Sequence, residues 1–495
     1  MDRHRFLAFD LGAESGRAAV GTLAEGRLAL EEIHRFSNEP VRICNTLHWD
    51  VLALYNNMLK ALRIYSERFG DSVEGIGIDT WAVDFGLLAA DGTLLQNPVH
   101  YRDRRTEGLD EEMMRRIPAS KLYQRTGLPF AALQTLGQLY SLRSKKSPVL
   151  ASAASLLLMP NLLGYFLTGV KCCERSAAMM TQLYEAPSRD WSEEIFRLFD
   201  LPLSLMPPLV DSGTVVGELS GSVAADTSLK RALVIAPCTH DTSSAVAGVP
   251  GVGDNWAFLS SGTWSVLGAL TPQMINSPAA FSSGFANELT LGSFFFCRNF
   301  GAGLWLLQQA RRAWQGKGKT YSYEELTQLA ERSPAAGPLM DPSHPCFFAP
   351  DNMLLAIRDY CRQTGQPQPE GAGEVTRCIL DSLALAYRQA LEQLSSILGK
   401  HFDVLYIVGG GCMNSLLCQS TANATRTLVQ AGPGEATVAG NILTQAVGRG
   451  YLTSPREIRE VIRRSTTMLE YEPKDAGIWE DRYAKYLQII EGTEG

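Results

Sequence analysis

The sequence contains no C-x-x-C pair and no histidine cluster; its ten cysteines and seven histidines are scattered along 495 residues. Neither a structural zinc site nor a disulfide framework is expected, and the cysteines read as reduced core thiols. No H-E-x-x-H helix, no G-x-S-x-G elbow and no serine, histidine and aspartate in hydrolase order occurs, which disfavours covalent hydrolytic catalysis. An excess of positive charge is missing too. Forty-five Lys and Arg against 52 Asp and Glu leave a net charge of -7, so neither nucleic acid nor a membrane surface is an expected partner, and any phosphate must be met locally. Long apolar runs are also lacking: the most apolar window, 151–170, is broken by Pro160 and Asn161 before it reaches membrane-spanning length. A buried strand followed by a helix is expected there. The short apolar stretch from Phe6 to Asp10 is unlike a signal peptide, and a cytoplasmic location is expected. Oligomeric state is not legible.

What is present is enough chain and enough apolar matter for large cores. At about 150 residues per domain the length suggests two large domains or three smaller ones, and 45% apolar against 20% charged residues is a globular balance. Phe6 to Asp10, Arg17 to Leu23 and Arg27 to Arg35 alternate with turns as in an antiparallel meander. Helical spacing over Val51 to Phe69 then leads to a strand at Val73 to Asp79, so the class is α/β. Gly248 to Asp254 reads as a boundary, which divides the chain into 1–247, 248–455 and a charged helical tail, 456–495, that covers the rest. A helix is expected over Gly301 to Trp314, and a strand at Val404 to Val408 feeds Gly409-Gly410-Gly411, followed by a helix over Ser415 to Thr425.

An internal repeat is visible. Ala8-Phe9-Asp10-Leu11-Gly12-Ala13-Glu14-Ser15 and Phe258-Leu259-Ser260-Ser261-Gly262-Thr263-Trp264-Ser265 both read as apolar strand, polar pair around glycine, apolar strand. If duplication is real, two related halves face a cleft. Backbone N–H groups in the turn from Asp10 to Arg17 are suited to phosphate oxygens, and Asp10 to Mg²⁺ through water; an ordinary hairpin fits D-x-G equally. His240-Asp241-Thr242 follows a strand and precedes a helix beginning near Ser243. There Asp241 serves either as a general base at a sheet edge or as the helix N-cap. Gly318-Lys319-Thr320 is not a phosphate loop, because Ala313 stands where that pattern needs glycine. Trp81, Asp84, Tyr101, Arg102 and Asp103 mix flat faces and hydroxyl-binding groups in a way that suits a sugar, with core packing and surface pairing as the plainer alternatives.

These motifs together resemble the FGGY carbohydrate kinases: Asp10-Leu11-Gly12, Ser260 to Trp264, and Val408-Gly409-Gly410-Gly411, joined by Gly77 to Phe85, Tyr101-Arg102-Asp103, His240-Asp241-Thr242 and Gly303 to Gln308. The resemblance implies two actin-like (ribonuclease H-like) ATPase domains around a central cleft, the first binding sugar and the second nucleotide. It implies transfer of the ATP γ-phosphoryl group, with Mg²⁺, to the 1-hydroxyl of L-rhamnulose. An L-fuculose kinase or a non-catalytic sensor on the same fold are the alternatives. By the resemblance, Ala13, Glu14, Ser15, Gly16, Arg17, Thr263, Gln308 and Gly410 contact ATP. Ala82, His240, Asp241, Thr242 and Asn299 contact sugar, and Asp241 is the base. Ala82 departs from the family's glycine, and the loop from Asn299 to Gly303 is one residue longer than the pattern. Some members carry a disulfide at the positions matched by Cys361 and Cys378, which fall here on two expected helices.

Overall fold

The computed structural model describes residues 3–348 and 350–493. The chain divides into two compact units: Met1–Pro250 with Leu270–Phe296 and Ala436–Ser465, and Gly251–Ala269 with Cys297–Glu435 and Thr466–Gly495. The charged tail is thereby split, its helix Pro455–Ser465 belonging to the first unit and its helix Ala476–Thr493 to the second.

The first unit is organised by a six-stranded sheet. Its strands are β1 (His4–Leu11), β2 (Ser15–Ala24), β3 (Arg27–Ser37), β4 (Ser72–Thr80), β5 (Val215–Glu218) and β6 (Arg231–Ile235), in the order β5-β6-β4-β1-β2-β3. β1, β2 and β3 form the expected antiparallel meander, whereas β1, β4 and β6 run parallel. β1 is buried on both faces because side chains alternate across a strand. Leu7, Phe9 and Leu11 join the core built with the helix Val51–Phe69, and Phe6 and Ala8 join the core built with Val438, Ile442 and Leu443. Asp50 caps the first of those helices, its carboxylate accepting the Ala53 N–H at 3.0 Å. Ser155–Leu158 and the helix Met159–Thr168 supply the expected buried strand and helix in the 151–170 window.

The second unit repeats this plan. β7 (Trp256–Ser261), β8 (Ser265–Thr271), β9 (Val404–Val408), β10 (Leu428–Ala431) and β11 (Leu469–Tyr471) lie in the order β11-β10-β9-β7-β8. β7, β9 and β10 are parallel, while β8 and β11 are antiparallel to their neighbours. Beyond β8 comes Ser293–Phe300, whose residues from Cys297 belong to this unit. Each unit thus has an antiparallel edge strand, three parallel strands and an antiparallel return, the duplication that the two glycine hairpins suggested. The long helix Gly371–Leu398 ends at Gly399, whose φ of 59° is the left-handed value that favours glycine. The helix Ala476–Thr493 is tied to it by Arg388 to Glu480 at 2.5 Å and Arg482 to Asp381 at 2.9 Å. Among the described residues no helix is long and apolar enough to cross a membrane.

Candidate active site

In the first unit the candidate residues gather where the parallel strands end. Asp10 is the last residue but one of β1, and Arg17, its partner across the hairpin, places Nε and Nη2 at 2.9 and 2.7 Å from Asp10 Oδ2. The turn between them closes through the Gly12 N–H to the Ser15 carbonyl at 2.9 Å, with Glu14 and Ser15 exposed. Asp79 stands beside Asp10 on β4, fully buried. Its Oδ2 accepts from Asn441 Nδ2 at 2.5 Å, while Oδ1 has no hydrogen-bond partner. Gly77 makes room for this arrangement: a Cβ there would lie 2.2 Å from Asn441 Oδ1. Burial and then the neighbouring Asp10 push the Asp79 carboxyl well above the ordinary aspartate range.

The chain leaving β6 returns to the same edge. Thr80 donates its N–H to the Thr239 carbonyl at 3.0 Å and is bridged in parallel to His240. The helix then begins at Asp241, two residues earlier than expected, with His240 as its N-cap residue. Asp241 therefore does not cap the helix. Its Oδ1 accepts the Thr242 N–H at 2.6 Å, and its side chain keeps 32% exposure. Burial raises the Asp241 carboxyl above its ordinary value, His240 works against the rise, and Asp10 adds to it. His240 lies between two carboxylates, with Nδ1 at 3.1 Å from Glu288 Oε2 and Nε2 at 3.3 Å from Asp241 Oδ1. Burial opposes its charged form, but Glu288, then Asp241 and Glu174, outweigh burial and raise its pKa.

The sugar-like cluster is assembled around Asp84 rather than around open surface. Trp49 Nε1 at 2.5 Å, Trp81 Nε1 at 3.0 Å and the Tyr101 N–H at 3.1 Å all reach Asp84 Oδ2, and Gln138 Nε2 reaches Oδ1 at 2.9 Å. Burial outweighs these donors and pushes the carboxyl up to about 6. Ala82, partly exposed, lies between Trp81 and the buried Val83. Asp103 is used locally, accepting the Leu47 and Arg105 N–H groups at 2.8 and 3.0 Å, and Arg102 lies over the Tyr101 ring. Trp49, Gln138, Glu174 and Glu288 escape sequence reasoning because each meets the site only through a long-range contact.

In the second unit, Thr263 and Gly410 follow the ends of the paired strands β7 and β9, and Gln308 lies on the helix Trp305–Gln315. The Thr263 carbonyl accepts the N–H groups of Gly303 at 3.1 Å and Trp305 at 3.2 Å, so residues 301–304 close onto the hairpin and the helix starts at Trp305 instead of Gly301. Gly303 permits this approach, since a Cβ there would meet Ser265 Oγ at 2.5 Å. Gln308 follows on that helix, its Oε1 buried without a partner. Gly411 presses on Ser261, where a Cβ would lie 2.1 Å from Oγ, whereas the side of Gly410 faces no atom within 4 Å and its backbone is open. Asn299 is exposed on Ser293–Phe300.

The first unit therefore presents a turn and charged groups, and the second unit glycine-containing turns, at the carboxyl ends of parallel strands, where α/β folds bind ligands. Solved structures share this architecture. The gluconate kinase from Lactobacillus acidophilus superposes with a TM-score of 0.82 at 13% identity, covering 99% of this chain and 98% of that one. The glycerol kinase with ADP from Plasmodium falciparum gives 0.80 at 16%, with 99% and 98% covered. The fold is the two-domain actin-like ATPase fold. Family models for the N-terminal and C-terminal domains of the FGGY family of carbohydrate kinases match residues 5–248 and 257–449. A rhamnulokinase from Bacteroides thetaiotaomicron is 40% identical over 489 residues, 99% of this chain and all of the relative. One from Enterococcus faecalis is 38% identical over 494 residues, 99% and 98% of the two chains. The chain belongs to the FGGY family of carbohydrate kinases and is an enzyme of that class.

Proposed function

We propose that this kinase transfers the γ-phosphoryl group of ATP to the 1-hydroxyl of L-rhamnulose, giving L-rhamnulose 1-phosphate and ADP. The observation that carries the reading is identity of 34 to 40% with rhamnulokinases over at least 95% of the chain. In this reading residues 1–247 hold the sugar through Ala82, His240, Asp241 and Thr242, with Asn299 added from the segment 248–455. That second segment, through Thr263, Gln308 and Gly410, and the turn from Ala13 to Arg17 hold ATP.

Phosphoryl transfer passes through a loose transition state, so positioning and charge compensation matter more than a strong nucleophile. Asp241 accepts the proton of the sugar hydroxyl as the P–O bond forms; its partial exposure leaves it reachable, and the opposing influence of His240 favours its ionised form. Glycine turns, above all Gly410 with its open backbone, offer N–H groups to phosphate oxygens. Mg²⁺ usually binds through one or two carboxylates plus substrate phosphates. The donor set fits that pattern: Asp10 offers a carboxylate at the strand end, where Arg17 holds its Oδ2. Bound there through water, the ion would neutralise charge on the transferred group.

The apolar 6-methyl of the sugar is expected to pack on a flat surface. Trp81 and Phe85, the two flat surfaces that the sequence offers, are both buried, Trp81 in the core with Trp49 and Phe85 in a separate core with Leu136 and Leu158. A methyl group in an apolar pocket supports roughly 10- to 200-fold discrimination. Coupled ADP-release assays on L-rhamnulose, L-fuculose, D-xylulose and glycerol test the reading; faster turnover of glycerol or D-xylulose than of L-rhamnulose overturns it.

A further inference from the structure

A carboxylate with no part in the chemistry above sits directly beneath the Asp241 loop. Glu174 is 0% exposed and lies in a two-residue strand, Cys173–Glu174, paired with Leu209–Val210. A buried carboxylate is costly unless hydrogen-bonded, and this one is supplied by four donors. Its Oε2 accepts the Thr239 N–H at 3.0 Å, the Thr239 hydroxyl at 2.9 Å and the Ser176 hydroxyl at 2.5 Å; its Oε1 accepts the Ser212 hydroxyl at 2.7 Å. Ser176 Oγ in turn accepts the His240 N–H at 3.3 Å, which commits the serine proton to Glu174.

The bonds converge on one stretch of backbone. Thr239 is fixed from one side through its N–H and hydroxyl by Glu174, and from the other through its carbonyl by the Thr80 N–H at 3.0 Å. His240 is fixed through its N–H by way of Ser176. Asp241 is the next residue, so its Cα leaves a backbone that is bonded on both sides. We propose that Glu174 is a positioning residue for proton transfer, aiming the Asp241 carboxylate by clamping Thr239 and His240. The inference rests on Asp241 being the general base. A catalytic group must lie within hydrogen-bond reach of the proton it takes, and a misplacement of about 1 Å costs on the order of 10²-fold.

Steady-state kinetics on Glu174→Gln, Asp241→Asn and the double variant test it, with L-rhamnulose and ATP as substrates. Glutamine keeps the shape but sets an NH2 group against hydrogen-bond donors. Glu174→Gln is expected to lower kcat by about 10- to 100-fold while KM for ATP stays within about twofold. In the Asp241→Asn background the same change should alter kcat by less than about twofold, because nothing is left to aim. An undiminished kcat in Glu174→Gln overturns the proposal, as does an equal loss in both backgrounds, which would mark a merely structural role. Where Asp241→Asn alone keeps its kcat, the base assignment falls first and this inference with it. If Glu174→Gln does not fold, Ser176→Ala removes one bond at the same oxygen; a smaller fall in kcat that vanishes in the Asp241→Asn background supports the proposal, and full additivity overturns it.

Discussion

Gly440 approaches Ser244 so closely that a methyl group on the glycine would lie 1.9 Å from the serine carbonyl oxygen. The helices Asp241–Ala247 and Ala436–Gly448 therefore touch backbone to backbone, and the contact is reciprocal, since a Cβ on Gly248 would meet the Ala436 carbonyl at 2.2 Å. The first of these helices carries Asp241 and the second carries Asn441, the partner of Asp79. The packing that joins them thus also fixes the distance between the strand ends and the candidate base.

Gly440→Ala is expected to push the two helices apart. Overpacking against backbone costs about 1–3 kcal/mol, and the displaced Asp241 should lower kcat as well. Urea unfolding and initial rates on one preparation check this; wild-type values for both would mean that the contact is not kept in solution.

Asp84 predicts a pH dependence of stability. Its carboxyl titrates near 6 in the folded chain against an ordinary 3.8, so the native state holds this proton more tightly than the unfolded chain. The resulting stabilisation is complete below about 4 and is lost as pH rises through about 6, and a shift of this size corresponds to roughly 3 kcal/mol. The unfolding free energy of wild type relative to Asp84→Asn should therefore fall between pH 4 and 6 and level off above. A pH-independent difference would show that the four donors keep Asp84 ionised throughout.

Much of this architecture is readable from local pattern. The apolar blocks on either side of Gly12 and Gly262 give away both hairpins, and the run at Val404 to Val408 gives a strand that proves central and parallel. The failures share a cause in long-range pairing. β11 is three residues long, and it exists because it adds to the edge of β10; nothing local distinguishes it from the helical tail on either side. The helix expected from Gly301 starts at Trp305 because the intervening N–H groups are drawn to the hairpin at Gly262 and Thr263. Glu174 reaches Thr239 across 65 residues and Ser212 across 38, so its neighbours in sequence say nothing of its role.

Cys361 and Cys378 lie on the helices Met353–Gln363 and Gly371–Leu398, both buried as free thiols. A hydrogen bond between them lowers the Cys361 pKa and raises that of Cys378. A cellular reducing poise keeps such a pair open, whereas an oxidant can join them. Thiol titration in denaturant before and after mild oxidation should lose two thiols in wild type and neither of these in Cys361→Ser. Equal counts in wild type before and after would rule out a bridge-competent pair.

The role of Asp241 separates cleanly from helix capping, because the structure gives the N-cap position to His240. Asparagine at 241 keeps an oxygen for the Thr242 N–H but loses the charge that faces His240 at 3.3 Å and a first-turn negative charge worth about 0.3–1 kcal/mol against the helix dipole. Asp241→Asn should still unfold close to the wild-type temperature. Its loss of basicity is another matter: general-base catalysis contributes about 10²–10⁴-fold, or roughly 3–5.5 kcal/mol of barrier. A kcat lower by at least about two decades, with ATP affinity little changed, is the expected result. The two measurements must be made together, since a large fall in thermal stability with kcat nearly intact would return Asp241 to a structural role and leave the proton of the sugar hydroxyl to another acceptor.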